Sequence, residues 1–160
     1  MTLACYSPAV NTTGFIFTHP NGIVKRTTYH VFSLYTGRLL PQVLASDLSC
    51  GTLALEKGSV PVLDAVVTTD EKRTRFAIAA VNKDPARAQS LRIDFASLGM
   101  AAAPASVEAE ILAGDSPDAY NDIGAENRVV PVKATLQVVD GAVELPPHSV
   151  CVISVRFDKT

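Results

Sequence analysis

Two textures divide the chain near residue 40. Beyond it, apolar and polar residues alternate with period two in Val60 to Thr69, Thr74 to Asn82, Ser90 to Phe95, Ser106 to Leu112, Thr135 to Val139 and Val150 to Phe157. Alternation sends one set of side chains to a core and the other to solvent, so these stretches predict antiparallel strands. Leu91, Ile93 and Phe95 share one face, as do Val107, Ala109 and Ile111, and Cys151, Ile153, Val155 and Phe157. The joins carry turn chemistry at Asp70-Glu71-Lys72, Asp84-Pro85, Asp140-Gly141 and Pro146-Pro147. Short strands with such punctuation predict a mainly β fold, a jelly-roll-like antiparallel β-sandwich over residues 39–160.

Residues 1–38 read differently. Cys5 to Pro8 and Gly14 to Thr18 have the composition of extended chain, Pro20-Asn21-Gly22 breaks it, and Ile23, Thr27, Val31 and Leu34 then recur as one stripe of a helix. The spacing predicts a helix from about Ile23 to about Tyr35, closed by Gly37 as its C-terminal cap. The sandwich is thus preceded by one strand-loop-helix unit, whose strand has no obvious second strand beside it.

Composition narrows the function. A chain of 160 residues, 48% of them apolar, can bury one sizeable core. Fourteen basic and sixteen acidic residues leave a formal charge of −2 without blocks, which offers no electrostatic footprint for nucleic acid or an anionic membrane. No apolar run has the length of a membrane span, and the start lacks a basic stretch, apolar core and cleavage site, so a cytoplasmic location is expected. Cys5, Cys50 and Cys151 are widely spaced without a C-x-x-C pair, which points to buried reduced thiols and not to a disulfide framework or zinc site.

Five segments, taken in order, resemble the C-terminal part of the α-L-arabinofuranosidases of glycoside hydrolase family 51. They are VNTTGFIFTHPNGIVKRTTYHVFSLY, VLDAVVT, FAIAAVNKDP, GDSPDAYNDIGAENRVVPV and LPPHSVCVISV. In that family a (β/α)8 barrel carries catalysis and a β-sandwich follows it. The resemblance implies that Val10 to Tyr35 corresponds to the eighth strand and helix of the barrel, the closing stave of a wall whose other staves lie elsewhere. It further implies a non-catalytic domain that supports and packs against the barrel. An arabinose-containing oligosaccharide would then be a ligand of the intact enzyme only. Apart from the resemblance, the unpaired edges around Gly14 to Thr18 and the stripe of Ile23, Val31 and Leu34 predict that residues 1–38 fold back on the sandwich or pair with a second copy of the chain.

The candidate chemistry fits that reading. Retaining glycosidases need two carboxyl groups about 5 Å apart, and the resemblance places both on earlier barrel strands, so no catalytic residue is assigned here. Glu108 and Glu110, as i and i+2 of a strand, fall on one face at a spacing of roughly 6.6 Å, but their inward neighbours make that face the solvated one. Barrel active sites lie at the C-terminal ends of the strands, which puts Thr18, His19, Asn21 and Arg26 at the rim of a sugar site in the intact enzyme. Arg26 stands where the family usually has Gln, with Lys25 before it and no Trp nearby. The competing reading of these residues is local: His19 and Asn21 as turn formers, Arg26 as a solvated helix start. Asp115, Asp118 and Asp122 form the densest acidic cluster, but their spacing suits Asx-turns better than a calcium loop, and Tyr120 and Asn121 are expected to pin that loop. His30 and His148 are expected to be satisfied structural histidines. No cofactor or metal is implied. The second functional class, an independent carbohydrate-binding module, has against it an aromatic content of 6% and no Trp.

Overall fold

The structure, a computed structural model, describes residues 6–157. It opens with a β-hairpin of β1 (Ile16–His19) and β2 (Gly22–Lys25), followed by the helix α1 (Thr27–Arg38). The strands β3 (Gln42–Leu44), β4 (Thr52–Leu55), β5 (Gly58–Pro61), β6 (Leu63–Thr69), β7 (Arg75–Asn82) and β8 (Gln89–Arg92) follow. The chain ends with β9 (Ser106–Leu112), β10 (Val132–Gln137), β11 (Ala142–Leu145) and β12 (Ser149–Arg156). The fold is mainly β and antiparallel, as the alternation predicts, with α1 its single helix among the described residues.

The main sheet has six strands in the order β10-β9-β12-β7-β6-β3. Two separate two-stranded ladders, β11-β8 and β4-β5, form the rest of the sandwich. Phe76, Ile78, Ala80, Cys151, Ile153 and Val155 point from the main sheet into the central core, where they meet Leu91 of β8 and Val143 and Leu145 of β11. Cys151 and Ile153 are fully shielded, and burial pushes the Cys151 thiol up, partly offset by a contact with the Ser149 hydroxyl. Cys50 is half-buried and Cys5 lies outside the described residues.

The opposite face of the main sheet is also apolar. Ala77 and Ala79 of β7, Val152 of β12 and Leu112 of β9 pack against Leu34 of α1 and Val129 of the following loop. Small alanines let the helix sit close to the sheet, and Val31, Tyr35, Leu39 and Leu40 complete the contact. The backbone N–H of Leu40 donates to the buried hydroxyl of Thr68 at 3.0 Å, which fixes the chain as it passes from helix to sheet.

The first forty residues differ from the sequence expectation in two details. Pro20-Asn21 is the two-residue tip of a hairpin that pairs Ile16 with Lys25 and His19 with Gly22, so Ile23 and Val24 are strand and the helix begins at Thr27. A turn ahead of two β-branched residues favours a second strand, and burial confirms the period of two, with Val24 at 1% exposure and Ile23 at 56%. The helix also runs through Gly37 to Arg38; the Leu39 N–H caps it on Tyr35 O at 3.1 Å, and Pro41 prevents continuation. Gly14 has a steric role, because a Cβ there would lie 2.7 Å from the backbone of Ala9 and Val10.

Two turns repay the sequence reading. Asp140 and Gly141 have φ of 50° and 77°, and Val139 and Ala142 exchange 2.9 Å backbone bonds across them, as a type I′ turn requires. Between β6 and β7 the Asp70 carboxylate accepts from the N–H groups of Thr74 at 2.7 Å and Arg75 at 3.1 Å and from the Thr74 hydroxyl at 2.8 Å. Burial alone would raise the Asp70 carboxyl, but these donors outweigh it and hold it well below the usual carboxylate range.

Two outcomes follow from this packing. Leu34→Ala removes the centre of the helix-sheet contact and is expected to lower stability by about 2–5 kcal/mol in urea unfolding. A carboxyl depressed in the folded state stabilises fully above its unfolded value and loses that contribution as pH falls through the folded one. Asp70→Asn is therefore expected to flatten the acid limb of the stability profile below about pH 4, read by thermal unfolding across pH; an unchanged limb would remove Asp70 from the account.

Candidate functional site at the hairpin and loop junction

The hairpin fixes the rim residues through local bonds. The Asn11 side-chain oxygen accepts from the Thr18 N–H at 2.8 Å and its hydroxyl at 3.0 Å. His19 Nδ1 accepts from the Asn21 N–H at 3.3 Å. The Arg26 N–H donates to Phe15 O at 2.8 Å, its Nη1 donates to Thr12 O at 2.6 Å, and its guanidinium lies 5.3 Å from the centre of the Phe17 ring. Arg26 is thus held by the segment leading into β1 and by the Phe17 ring, and is not a loose helix start.

Arg26 opens on a groove of about 580 Å³, lined by Tyr6, Phe17, Tyr120, Asn121 and Asp122 among others. Thr18, His19 and Asn21 do not line it; they sit at the hairpin tip. On the loop, the Gly124 N–H donates to the Glu126 carboxylate at 3.0 Å and holds it below its usual value.

The other wall of the groove belongs to residues 113–131. Asn121 is 3% exposed and its side chain makes three bonds: Nδ2 donates to Val129 O at 2.9 Å and to Lys25 O at 2.9 Å, and Oδ1 accepts from the Val129 N–H at 2.7 Å. One amide closes the loop on itself and ties it to the end of β2, ninety-six residues away in sequence. The acidic residues serve the same loop. Asp115 binds Arg128 at 2.8 and 3.0 Å, which lowers its carboxyl, and Asp122 accepts from the Ile123 N–H at 2.8 Å. Among the described residues no group of three or more His, Cys, Asp or Glu is placed to hold a metal ion.

Of the two histidines expected to be structural, His148 is satisfied, with ring nitrogens 3.0 Å from Pro85 O and 3.1 Å from Gly114 O. His30 departs from the expectation: its Nε2 is buried without a partner, as is the Thr27 hydroxyl one helical turn before it. Burial, and then the Lys25 charge, pull the His30 imidazole below its usual value.

Glu108 and Glu110 share the outer face of the main sheet. Glu108 accepts from the Thr135 hydroxyl at 3.1 Å, and Glu110 pairs with Arg38 at the end of α1. The open trough of about 470 Å³ around them also contains Lys133 and Arg156. Each carboxylate has its own partner.

The family model for the α-L-arabinofuranosidase C-terminal domain matches residues 1–149. The chain belongs to that family. An intracellular exo-α-(1→5)-L-arabinofuranosidase of Bifidobacterium longum is 32% identical over 112 residues, which cover 67% of this chain and 20% of that protein. The α-L-arabinofuranosidase of Thermotoga maritima, solved with arabinose, superposes with a TM-score of 0.76 at 22% identity over 94% of this chain and 33% of its own. A family 51 α-L-arabinofuranosidase from B. longum gives 0.76 at 26% identity, over 94% of this chain and 29% of its own. This arabinofuranosidase C-terminal domain therefore spans about a fifth to a third of the length of these relatives. No helix of the described residues is long and apolar enough to cross a membrane.

If the outer-face carboxylates are structural, the purified chain is expected not to hydrolyse an aryl α-L-arabinofuranoside. Turnover abolished by Glu108→Gln with Glu110→Gln would make that pair the site, and turnover surviving both changes would place the chemistry elsewhere in the chain.

Proposed function

We propose that this chain is the non-catalytic C-terminal part of a retaining, cytoplasmic α-L-arabinofuranosidase that removes terminal α-L-arabinofuranosyl groups from arabinan or arabinoxylan. Residues 39–160 support the catalytic barrel, and residues 1–38 supply its last stave and the rim residues Thr18, His19, Asn21 and Arg26. The family membership and the intracellular B. longum relative support this reading.

The observation that carries it is the two-sided N-terminal unit. On one side Leu34 and its neighbours are covered by the sheet. On the other, Tyr6 stacks on Phe15 with ring centres 4.3 Å apart and Phe32 meets both rings edge-on or tilted at 5.6 and 4.5 Å, yet Tyr6 and Phe32 remain 39% and 45% exposed. Val10 and Ile23 are exposed apolar residues of the same unit. An aromatic cluster of this size in water is a surface for a partner, and the part of the relatives' polypeptide that lies outside the third or less matched here is the partner that fits. A second copy is the competing cover.

Co-expression with a family 51 barrel that ends before its own eighth unit tests the proposal. The two chains are expected to purify together and to restore hydrolysis of an aryl α-L-arabinofuranoside. A barrel that is as active and stable alone, or a chain that light scattering shows paired only with itself, overturns it.

A further inference from the structure

The peptide unit between Lys25 and Arg26 is held at both of its polar ends. Its N–H donates to Phe15 O at 2.8 Å, a bond within the N-terminal unit. Its carbonyl, Lys25 O, accepts from Asn121 Nδ2 at 2.9 Å, a bond from the loop of residues 113–131. The start of α1 has little else to fix it: Arg26 makes no side-chain cap, and the Thr27 hydroxyl is buried without a partner. A peptide is planar, so holding both ends sets the plane from which the Arg26 Cα leaves, and with it the direction of the side chain.

Asn121 is anchored in turn. Its Nδ2 donates to Val129 O at 2.9 Å and its Oδ1 accepts from the Val129 N–H at 2.7 Å. Val129, at 2% exposure, packs with Leu34, Ala77, Ala79 and Val152 on the outer face of the main sheet. Both N–H groups of the amide and its oxygen are engaged, so it cannot turn without breaking a bond. A continuous line of contact runs from the sheet through Val129 and the Asn121 amide to Lys25 O and Arg26.

We propose that Asn121 is a positioning residue: it carries the placement of the sandwich to the Lys25–Arg26 peptide and so aims the Arg26 side chain, whose guanidinium is held further out by Thr12 O and the Phe17 ring. What Arg26 is aimed at, the mouth of a catalytic barrel, rests on the arabinofuranosidase reading; the tie itself does not. In that enzyme a side chain of the supporting domain sets the turnover without touching the substrate.

Amide hydrogen exchange on this chain tests the tie. Asn121→Asp keeps an acceptor for the Val129 N–H and loses both donors; Asn121→Ala, which buries no charge, replaces it if the first variant does not fold. The Arg26 amide is expected to exchange about tenfold faster, beyond any change at the amides of β7. Arg128→Ala breaks the loop's ion pair with Asp115 but leaves the Asn121 bonds, and should leave the Arg26 amide as it was. Unchanged exchange at Arg26, or an equal rise with Arg128→Ala, overturns the proposal.

In the enzyme reassembled by co-expression, the Asn121 variant is expected to lower kcat/KM about tenfold at equal assembly, and no further once Arg26→Ala is present. A loss that adds in full to that of Arg26→Ala is the mark of a merely structural role and also overturns it. Failed co-expression removes the barrel reading and leaves the exchange measurement to decide the tie, so the two fall separately.

Discussion

The structure depends on a sheet that is apolar on both faces and must be covered twice. Strand β7 shows this most directly, since Phe76, Ile78 and Ala80 enter the central core while Ala77 and Ala79 face the helix, all at 4% exposure or less. A half-buried antiparallel strand alternates buried and exposed positions; a strand buried on both faces cannot. The inner face is covered by the ladder β11-β8, and the outer by α1 and the loop that carries Val129. With the helix seated on the sheet, the hairpin at its start has a fixed position, and the Asn121 bond to Lys25 holds it from the loop side.

This constraint explains which elements could be read from the sequence. Strand β9 and the long apolar strands β6, β7 and β12 were legible because their pattern is set by a core on at least one face. The short strands β3 and β4 were not, and β5 was merged with β6 in the predicted stretch Val60 to Thr69, because the positions of these short strands are exposed or only half-buried. The segment from Ile23 to Leu34 was ambiguous for a different reason. Ile23 and Thr27 sit four residues apart, as on a helix face, but Ile23 and Val24 are β-branched and follow a two-residue turn, and pairing with β1 decided the matter.

The site was legible to the extent that its bonds are local. The turn-forming roles of His19 and Asn21 follow from residues two apart, and Asp115, Asp118 and Asp122 fall in a loop of turns as their composition suggests. Asn121 was legible as a pin, but Tyr120, expected to share that role, stands 60% exposed instead, and the Lys25 carbonyl that receives the Asn121 pin could not be foreseen, because a backbone oxygen has no signature in a sequence. His148 and His30 show the same limit. Both stand in plausible structural positions, yet only the contacts of distant loops reveal that one is satisfied and the other is buried without a partner.

The helix shows how the sandwich and the aromatic surface are related. A helix resting on one core carries a single apolar stripe. Here Val31, Leu34 and Tyr35 meet the sheet while Phe32 joins Tyr6 and Phe15 in a second apolar cluster. Thr27 and His30, three residues apart and so on one side of the helix, bury a hydroxyl and a ring nitrogen that find no partner, at a cost on the order of 1–3 kcal/mol for each unsatisfied group. A second apolar cluster and two unanswered polar groups are the marks of a helix shaped for cover on both sides. The sheet supplies one cover, and on the proposed reading the barrel supplies the other, over the exposed aromatic face.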